Sequence, residues 1–279
     1  MDVQRLSAFT VDGRGGNPAG VVLGETLPDA ATMQRTAADL GYSETAFLER
    51  TGPRSAHVRY FSPAAEVPFC GHATIATAVA LAEADGPGAF TFETAAGPIG
   101  IETARDDDGA ITATLTSVAT DLRPLPDGFL GAILPLLGWH DSELDPALPP
   151  AFAYAGAWHL VLAVAQPETL ARLDYVFDAV RALMLEHDLT TLQLIWREHE
   201  TAFRSRNPFP VGGVVEDPAT GAAAAALGGY LRARGELTPP ARFTIAQGVE
   251  MGAPSRLLVE LLPGEDGVRV TGTASPITG

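Results

Sequence analysis

A glutamate early in the chain has the surroundings of an acid–base residue. Glu44 lies in the segment GYSETAFLE, directly after Ser43, at the expected start of a strand. A random glutamate is usually solvent-exposed, but one that points into a cleft can accept a proton from a bound molecule and return it at another atom. His72, in the segment CGHAT, is the imidazole that could assist. Glu49 and Glu66 are weaker candidates for the same role.

Two glycines each precede a long segment that is almost free of charge. Gly71 and Gly221 stand at the expected starts of two helices that are apolar on all sides and are therefore predicted to be buried. A helix N-terminus presents unpaired N–H groups and the positive end of the helix dipole, and glycine lets a ligand approach closely. Capping by Asp217 and Thr220 would explain part of this pattern and is compatible with anion binding. The sequence therefore predicts a pocket for a carboxylate or another small anion.

These helices fall at equivalent places in two copies of one strand–helix–strand pattern. Gly71 and Gly221 are 150 residues apart, and the strand segments FTF (90–92) and FTI (243–245) are 153 residues apart. Chance matching of apolar patterns is the alternative to an internal duplication.

The duplication predicts two domains, 1–120 and 121–279, with ligand bound in the cleft between them. The stretch 121–150, rich in Pro and Asp, is the expected linker. A strand near 266–275 can pair with the first domain.

Composition excludes several classes of function. The 279 residues include 34 acidic and 18 basic side chains, for a net charge of −16, and every basic residue is arginine. Without lysine there is no Schiff-base chemistry and no phosphate-loop nucleotide site, and the acidity argues against a nucleic-acid partner. The six histidines have no metal-ligand spacing, so no metal is expected. A single cysteine, no leader-type segment and no membrane-length apolar run predict a cytoplasmic protein without a membrane partner.

Four motifs in order resemble a known family. They are GNPAGVVL, SETAFL, RYFSPAAEVPFCGHATIATAVAL and VVEDPATGAAAAALGGYL, and together with VRVTGTAS near the end they cover essentially the whole chain. They are similar to the PhzF-like isomerases of phenazine biosynthesis. The resemblance implies the diaminopimelate-epimerase-like fold, an α+β architecture of two pseudo-symmetric domains, each a curved mixed sheet wrapped around a central helix. It also implies an active site between the domains, and a homodimer.

The resemblance also implies roles for particular residues. Glu44 matches the catalytic glutamate of the family's S-E-[ST] motif, while His72 and Asp217 match residues that hold and polarise the substrate. Gly71 and Gly221 fall where backbone amides bind the substrate carboxylate. The remaining predicted substrate-binding residues are Asn17, Ser43, Ala73, Thr220 and Ala222. The family reaction is a cofactor-free isomerisation of a dihydro-hydroxyanthranilate, so a small carboxylate-bearing substrate and no cofactor are expected.

Two departures leave alternatives open. The characterised phenazine enzyme has serine where this chain has Ala222, which removes a polar contact to the substrate. Cys70 stands where the epimerases and racemases of this fold place one of two catalytic cysteines, but the partner position holds Pro218, so we expect Cys70 to be a packing residue. The same carboxylate chemistry could serve a lyase or dehydratase, and the scaffold could also serve a non-catalytic binding protein.

Overall fold

The computed structural model describes residues 2–277. Strands that alternate buried and exposed side chains, as expected for a sheet with one face on a core, account for much of this range. In chain order the strands are β1 (Gln4–Ala8), β2 (Asn17–Gly24), β3 (Glu44–Gly52), β4 (Ser55–Phe61), β5 (Glu66–Val67), β6 (Gly88–Thr94), β7 (Gly97–Arg105), β8 (Ile111–Thr116), β9 (Asp121–Arg123), β10 (Ala151–Tyr154), β11 (Trp158–Val164), β12 (Leu189–His199), β13 (Ala202–Arg206), β14 (Pro208–Phe209), β15 (Val214–Glu216), β16 (Ala241–Gln247), β17 (Ser255–Leu261) and β18 (Arg269–Pro276).

The helices differ in how much of their surface is apolar. The helices are α1 (Ala30–Leu40), α2 (Gly71–Asp85), α3 (Phe129–Leu136), α4 (Pro167–Ala171), α5 (Phe177–Glu186) and α6 (Gly221–Ala233). Side chains are buried all around α2 and α6, as their charge-free sequences require. None of the helices in residues 2–277 is both long enough and apolar enough to span a membrane.

Residues 2–116 and 271–277 form the first of two compact units. Its sheet runs in the order β1-β2-β3-β4-β6-β7-β8-β18, and pairing of β18 with β1 closes these eight strands into a barrel. The sheet is mixed, because β2–β3 and β4–β6 are parallel pairs while their neighbours are antiparallel. Helix α2 packs against β1, β2, β3, β7 and β8 and fills the barrel.

Residues 117–270 form the second unit. Its strands run in the order β17-β16-β13-β12-β11-β10-β9, with parallel pairs at β11–β12 and β13–β16. Helix α6 packs against β9, β10, β11, β12 and β17. The predicted α+β architecture, in which each unit wraps a mixed sheet around an apolar helix, is confirmed.

The expectation of a linker at 121–150 is wrong. This segment contains β9, α3 and a short 3-10 turn at Asp141–Glu143, and it belongs to the compact second unit. Its apolar residues are buried in one cluster with the strands and helices of that unit, among them Phe129, Ile133, Leu134, Leu137 and Trp139. The stretch GFLGAILPLLGW has enough apolar surface to be buried in a folded unit. The prolines and aspartates of the segment led to the prediction of a linker.

Helix α6 contains a glycine that packing requires. A Cβ atom on Gly229 would lie 2.5 Å from Cβ of Thr120, an atom too close to the backbone to move away freely. We expect Gly229→Ala to lower the free energy of unfolding by about 1–3 kcal/mol, because overpacking outweighs the gain of about 1 kcal/mol in helix propensity. Urea denaturation measures this change. Gly131→Ala in α3 is the matched control, since nothing lies within 4 Å of its Cβ position. Stability of the control should be unchanged or slightly raised, and equal behaviour of the two variants would contradict the packing explanation.

Candidate active site

Glu44 is placed by the end of α1. Gly41 caps this helix with φ 69°, a left-handed conformation that favours glycine, and its N–H donates to the carbonyl of Ala37. The chain turns there and β3 begins at Glu44, which pairs with Ala19 of β2. The Glu44 side chain is 18% exposed, so it is held at the edge of the barrel and still reachable from solvent.

The N-terminus of α2 is open to a ligand. Cys70 is the N-cap residue, in an extended conformation, and it makes no side-chain capping hydrogen bond. The first-turn N–H groups, including those of Gly71 and His72, therefore lack a side-chain cap, and they carry the positive end of the helix dipole. A Cβ atom on Gly71 would have nothing within 4 Å, so the space above this turn is free for an approaching group.

These two elements bring four polar side chains together, which we call the acid–base cluster: Ser43, Glu44, Cys70 and His72. His72 Nε2 lies 3.5 Å from Glu44 Oε2 and 3.3 Å from Ser43 Oγ. The Cys70 thiol donates to Glu44 Oε2 at 3.4 Å, and its sulfur lies 3.3 Å from His72 Nδ1. A carboxylate in contact with an imidazole and a thiol can accept and return a proton within one small site.

Buried polar groups form hydrogen bonds that hold the first turn of α2 in place. Thr74 donates from its hydroxyl to the carbonyl of Cys70 at 2.7 Å, and Tyr60 OH lies 2.6 Å from the same hydroxyl. Complete burial raises the pKa of Tyr60 above that of an ordinary tyrosine, so its ring stays neutral. The position of Cys70 is therefore set by hydrogen bonds as well as by packing.

The weaker glutamate candidates lie outside the cluster. Arg59 holds Glu66 with two hydrogen bonds, of 2.7 and 2.6 Å, and these lower the pKa of that carboxyl. Glu49 lies further along β3, opposite His57 of β4. Asn17 is buried on β2, two residues before the partner of Glu44, and Ala73 is buried in the first turn of α2.

In the second unit, Asp217 lies in the segment before α6, where hydrogen bonds to its backbone N–H and carbonyl groups hold it in place. The Asp217 N–H donates to the carbonyl of Asn207 at 2.9 Å, and Gln247 Nε2 donates to the Asp217 carbonyl at 2.7 Å. Thr220 donates from its hydroxyl to Asp217 Oδ2 at 2.5 Å. Thr220 is the N-cap residue of α6, and its side chain makes no capping hydrogen bond to the helix. Gly221 and Ala222 follow as the first two residues of the helix.

An ion pair anchors the residue before Asp217. Arg206 binds Glu216 in two-pronged fashion, with Nε 3.1 Å from Oε1 and the terminal nitrogen 2.6 Å from Oε2. Both side chains are largely removed from solvent, at 12% and 4% exposure. Burial alone would lower the pKa of Arg206, but the hydrogen bonds and charge of Glu216 raise it above its ordinary value. Arg206 therefore stays charged, and its two-pronged contact with Glu216 fixes the residue before Asp217.

A network of buried polar side chains, which was not predicted from the sequence, lies behind this loop. His159 Nδ1 lies 2.8 Å from Thr191 Oγ1, which donates to Asn207 Oδ1 at 3.0 Å, and Asn207 Nδ2 donates to Gln193 Oε1 at 2.7 Å. Asn207 is the residue whose carbonyl binds the Asp217 N–H. The network therefore links the interior of the second unit to Asp217.

The buried histidine makes stability depend on pH. Burial lowers the pKa of His159 to about 3, from an ordinary value near 6.5, so the folded state binds this proton less readily than the unfolded state. The stabilisation that the neutral His159 side chain gives to the folded state is complete above pH 6.5 and is lost as the pH falls towards 3. For this one group we expect a loss of about 2 kcal/mol in the free energy of unfolding between pH 7 and pH 5.

Chemical denaturation at several pH values measures this dependence. His159→Gln should show a shallower decline than wild type, whatever its stability at pH 7. The control His140→Gln changes an exposed imidazole and should leave the slope unaltered. A wild-type slope in His159→Gln would show that the buried imidazole does not titrate as expected.

Comparison with known proteins confirms the resemblance. The family model described as phenazine biosynthesis-like protein, PhzC-PhzF, matches residues 6–279. An isomerase of Bacillus subtilis, YfhB, is 29% identical over 98% of this chain and 95% of that protein. The trans-2,3-dihydro-3-hydroxyanthranilate isomerase of Pseudomonas chlororaphis is 31% identical over 90% of this chain and 86% of that enzyme.

Solved structures show the same fold. A PhzF-family phenazine biosynthesis protein of Bacillus anthracis superposes with a TM-score of 0.89 at 24% identity, covering 99% of this chain and 96% of that one. A hydroxyproline epimerase of Agrobacterium vitis superposes with a TM-score of 0.65 at 15% identity, covering 99% and 91%, a likeness of fold alone. The chain thus belongs to the phenazine biosynthesis-like, PhzC-PhzF, family of isomerases.

Proposed function

We propose that this isomerase shifts a proton within a small carboxylate-bearing metabolite, with Glu44 as the acid–base residue and no cofactor. The observation that carries the proposal is the position of the Glu44 carboxylate, 3.5 Å from His72 Nε2 at the uncapped N-terminus of α2. Partial exposure leaves the carboxylate accessible to a bound molecule, and the neighbouring donors hold it in one orientation.

The substrate carboxylate would bind the backbone N–H groups of Gly71 and His72. A helix N-terminus is a ready anion site, so this local field can attract a carboxylate in spite of the net charge of −16. The absence of lysine is no obstacle, because backbone N–H groups supply the hydrogen bonds. In the second unit, the first turn of α6 begins at Gly221, the N-cap Thr220 makes no side-chain capping bond to it, and its N–H groups have the same chemistry.

The proton transfer itself conserves atoms. Glu44 takes a proton from one carbon of the substrate, the electron pair of that C–H bond moves into the conjugated system, and a double bond shifts. Glu44 then returns the proton to another carbon. His72, in contact with the same carboxylate, would orient it and hydrogen-bond to the substrate. Asp217, held by Thr220 and by its backbone bonds, would bind a polar substrate group in the same reaction.

The test is a substrate assay in heavy water. We would begin with trans-2,3-dihydro-3-hydroxyanthranilate, the substrate named for the Pseudomonas relatives, and continue with cyclic and aromatic amino acids. A product of unchanged mass in ordinary water that gains deuterium in heavy water supports the isomerase. Loss of water from the substrate would indicate a dehydratase instead. Saturable binding without exchange for every compound would indicate a binding protein, the alternative that Ala222 favours.

The homodimer implied by the family resemblance is a further proposal. Light scattering coupled to size-exclusion chromatography measures the mass in solution, and a mass near 29.1 kDa at micromolar concentration would contradict a dimer.

A further inference from the structure

The acid–base cluster contains three different metal-binding groups within one small volume. The ligand atoms of Glu44, Cys70 and His72 all lie within 4.8 Å of one another. We propose that this cluster is also a binding site for a thiophilic divalent cation, for which Zn²⁺ is the best fit. While it is bound, the cation prevents Glu44 from transferring a proton. This site goes beyond the proposed isomerisation, which needs no metal.

The distances fit tetrahedral coordination without rearrangement of the backbone. Zinc bonds of about 2.3 Å to sulfur and about 2.0–2.2 Å to nitrogen and oxygen place neighbouring ligand atoms about 3.3–3.6 Å apart. Here Cys70 Sγ lies 3.4 Å from Glu44 Oε2, Glu44 Oε2 lies 3.5 Å from His72 Nε2, and Nε2 lies 3.8 Å from the same sulfur. Each edge is within a few tenths of an ångström of the required length.

The donor set selects the kind of metal. A thiolate and an imidazole favour zinc and related borderline or soft cations over magnesium and calcium, which prefer oxygen alone. Three protein ligands leave a fourth tetrahedral position for water, as in sites with an exchangeable ligand. In the structure the sulfur lies 3.3 Å from His72 Nδ1 as well, so coordination through Nε2 requires the imidazole ring to turn until its Nε2 lone pair points at the metal.

Local charge also permits a cation here. The N-terminus of α2 is the positive end of a helix dipole and would repel an uncompensated metal ion. The Cys70 thiolate and the Glu44 carboxylate together carry two negative charges, so a divalent ion gives a neutral complex. Binding requires the Cys70 thiol to lose its proton to solvent. It also occupies a lone pair of Glu44, which is why cation and proton transfer exclude each other.

Cobalt(II) provides a direct test that does not depend on turnover. Cys70 is the chain's one cysteine, so a sulfur-to-cobalt charge-transfer band in the near ultraviolet can arise from no other residue. We expect the untagged wild-type protein to develop this band with one Co²⁺ per chain and to lose it when Zn²⁺ is added. Cys70→Ser should lack the band, and calorimetry should show Zn²⁺ binding to it weakened by at least about tenfold.

Two further variants separate this site from adventitious binding. Glu44→Gln keeps the thiol, so the cobalt band should persist while Zn²⁺ affinity falls. His57→Gln is the matched control, because His57 faces Glu49 across β3 and β4 without a thiol nearby, and its affinity should equal that of wild type. Circular dichroism confirms that each variant is folded. No cobalt band, together with equal Zn²⁺ affinity in Cys70→Ser and wild type, would overturn the proposal and leave the proposed isomerase function untouched.

Discussion

Replacing Glu44 with glutamine is expected to lower kcat/KM by about 10²–10⁴-fold, the range lost with a general acid–base group. Glutamine has nearly the same shape and can still accept the hydrogen bond that the Cys70 thiol donates at 3.4 Å. It cannot take up a proton at neutral pH, so the chemical step fails while the substrate site stays intact. Deuterium incorporation from heavy water into the substrate is the direct measurement, because it detects proton abstraction even when no net product forms.

Glu49→Gln is the matched control for this experiment. Glu49 is on the same strand, is partly buried and has no contact with the acid–base cluster, so its replacement should leave exchange within about twofold of wild type. Unchanged ligand affinity in Glu44→Gln would show that the variant is folded. Exchange at the wild-type rate in that variant would show that Glu44 is not the acid–base residue, and His72 would be the next candidate for that role.

The two central helices were predictable because their sequences leave little choice. Runs without charge, begun by Gly71 and Gly221, must be buried on all sides, and a sheet wrapped around each helix achieves this. The segment 121–150 was not predictable in the same way. Its prolines and aspartates are typical of loops, whereas Phe129, Ile133 and Leu134 are buried in a cluster that includes residues distant in sequence, on β10, β11 and β12.

Within the site, proximity in sequence decided what could be foreseen. Ser43 and Glu44 are adjacent, and His72 belongs to one short motif, so their chemistry could be suspected before their contact was known. The role of Cys70 could not, because its thiol reaches Glu44 only through the extended N-cap conformation, with φ −146° and ψ 116°. Cys70 is buried, as a packing residue would be, but it also makes polar contacts.

The existence of a polar network inside the second unit could have been predicted from the sequence. His159 and Gln193 interrupt the apolar strands WHLVLAV and TLQLIW, and both are fully buried. A polar side chain at an inward position of an apolar strand must find hydrogen-bond partners, and that requirement points to other polar residues in the same interior. Which partners they find, Thr191 and Asn207, depends on strand register and was beyond a single sequence.

Replacing Asp217 with asparagine is expected to lower kcat/KM by about 10- to 100-fold. Removing the negative charge from a hydrogen-bonded carboxylate costs about 1.5–3 kcal/mol where that charge contacts the substrate. The backbone bonds from Asn207 and Gln247 do not involve the side chain, so the loop should keep its conformation. Asp127→Asn makes the same chemical change at an exposed position and should leave kcat/KM unaltered.

A double-mutant cycle decides whether Asp217 and Glu44 serve one reaction. Residues that act together in a single chemical step give strongly non-additive losses, whereas independent residues give losses whose free energies add. We therefore expect the double variant Glu44→Gln/Asp217→Asn to be no slower than Glu44→Gln alone, since without proton abstraction there is little left for Asp217 to assist. Exchange rates in heavy water, measured for wild type and the three variants, complete the cycle. Additive losses would mean that Asp217 contributes to substrate binding or folding separately from the proton transfer, and its assignment as a catalytic residue would fall.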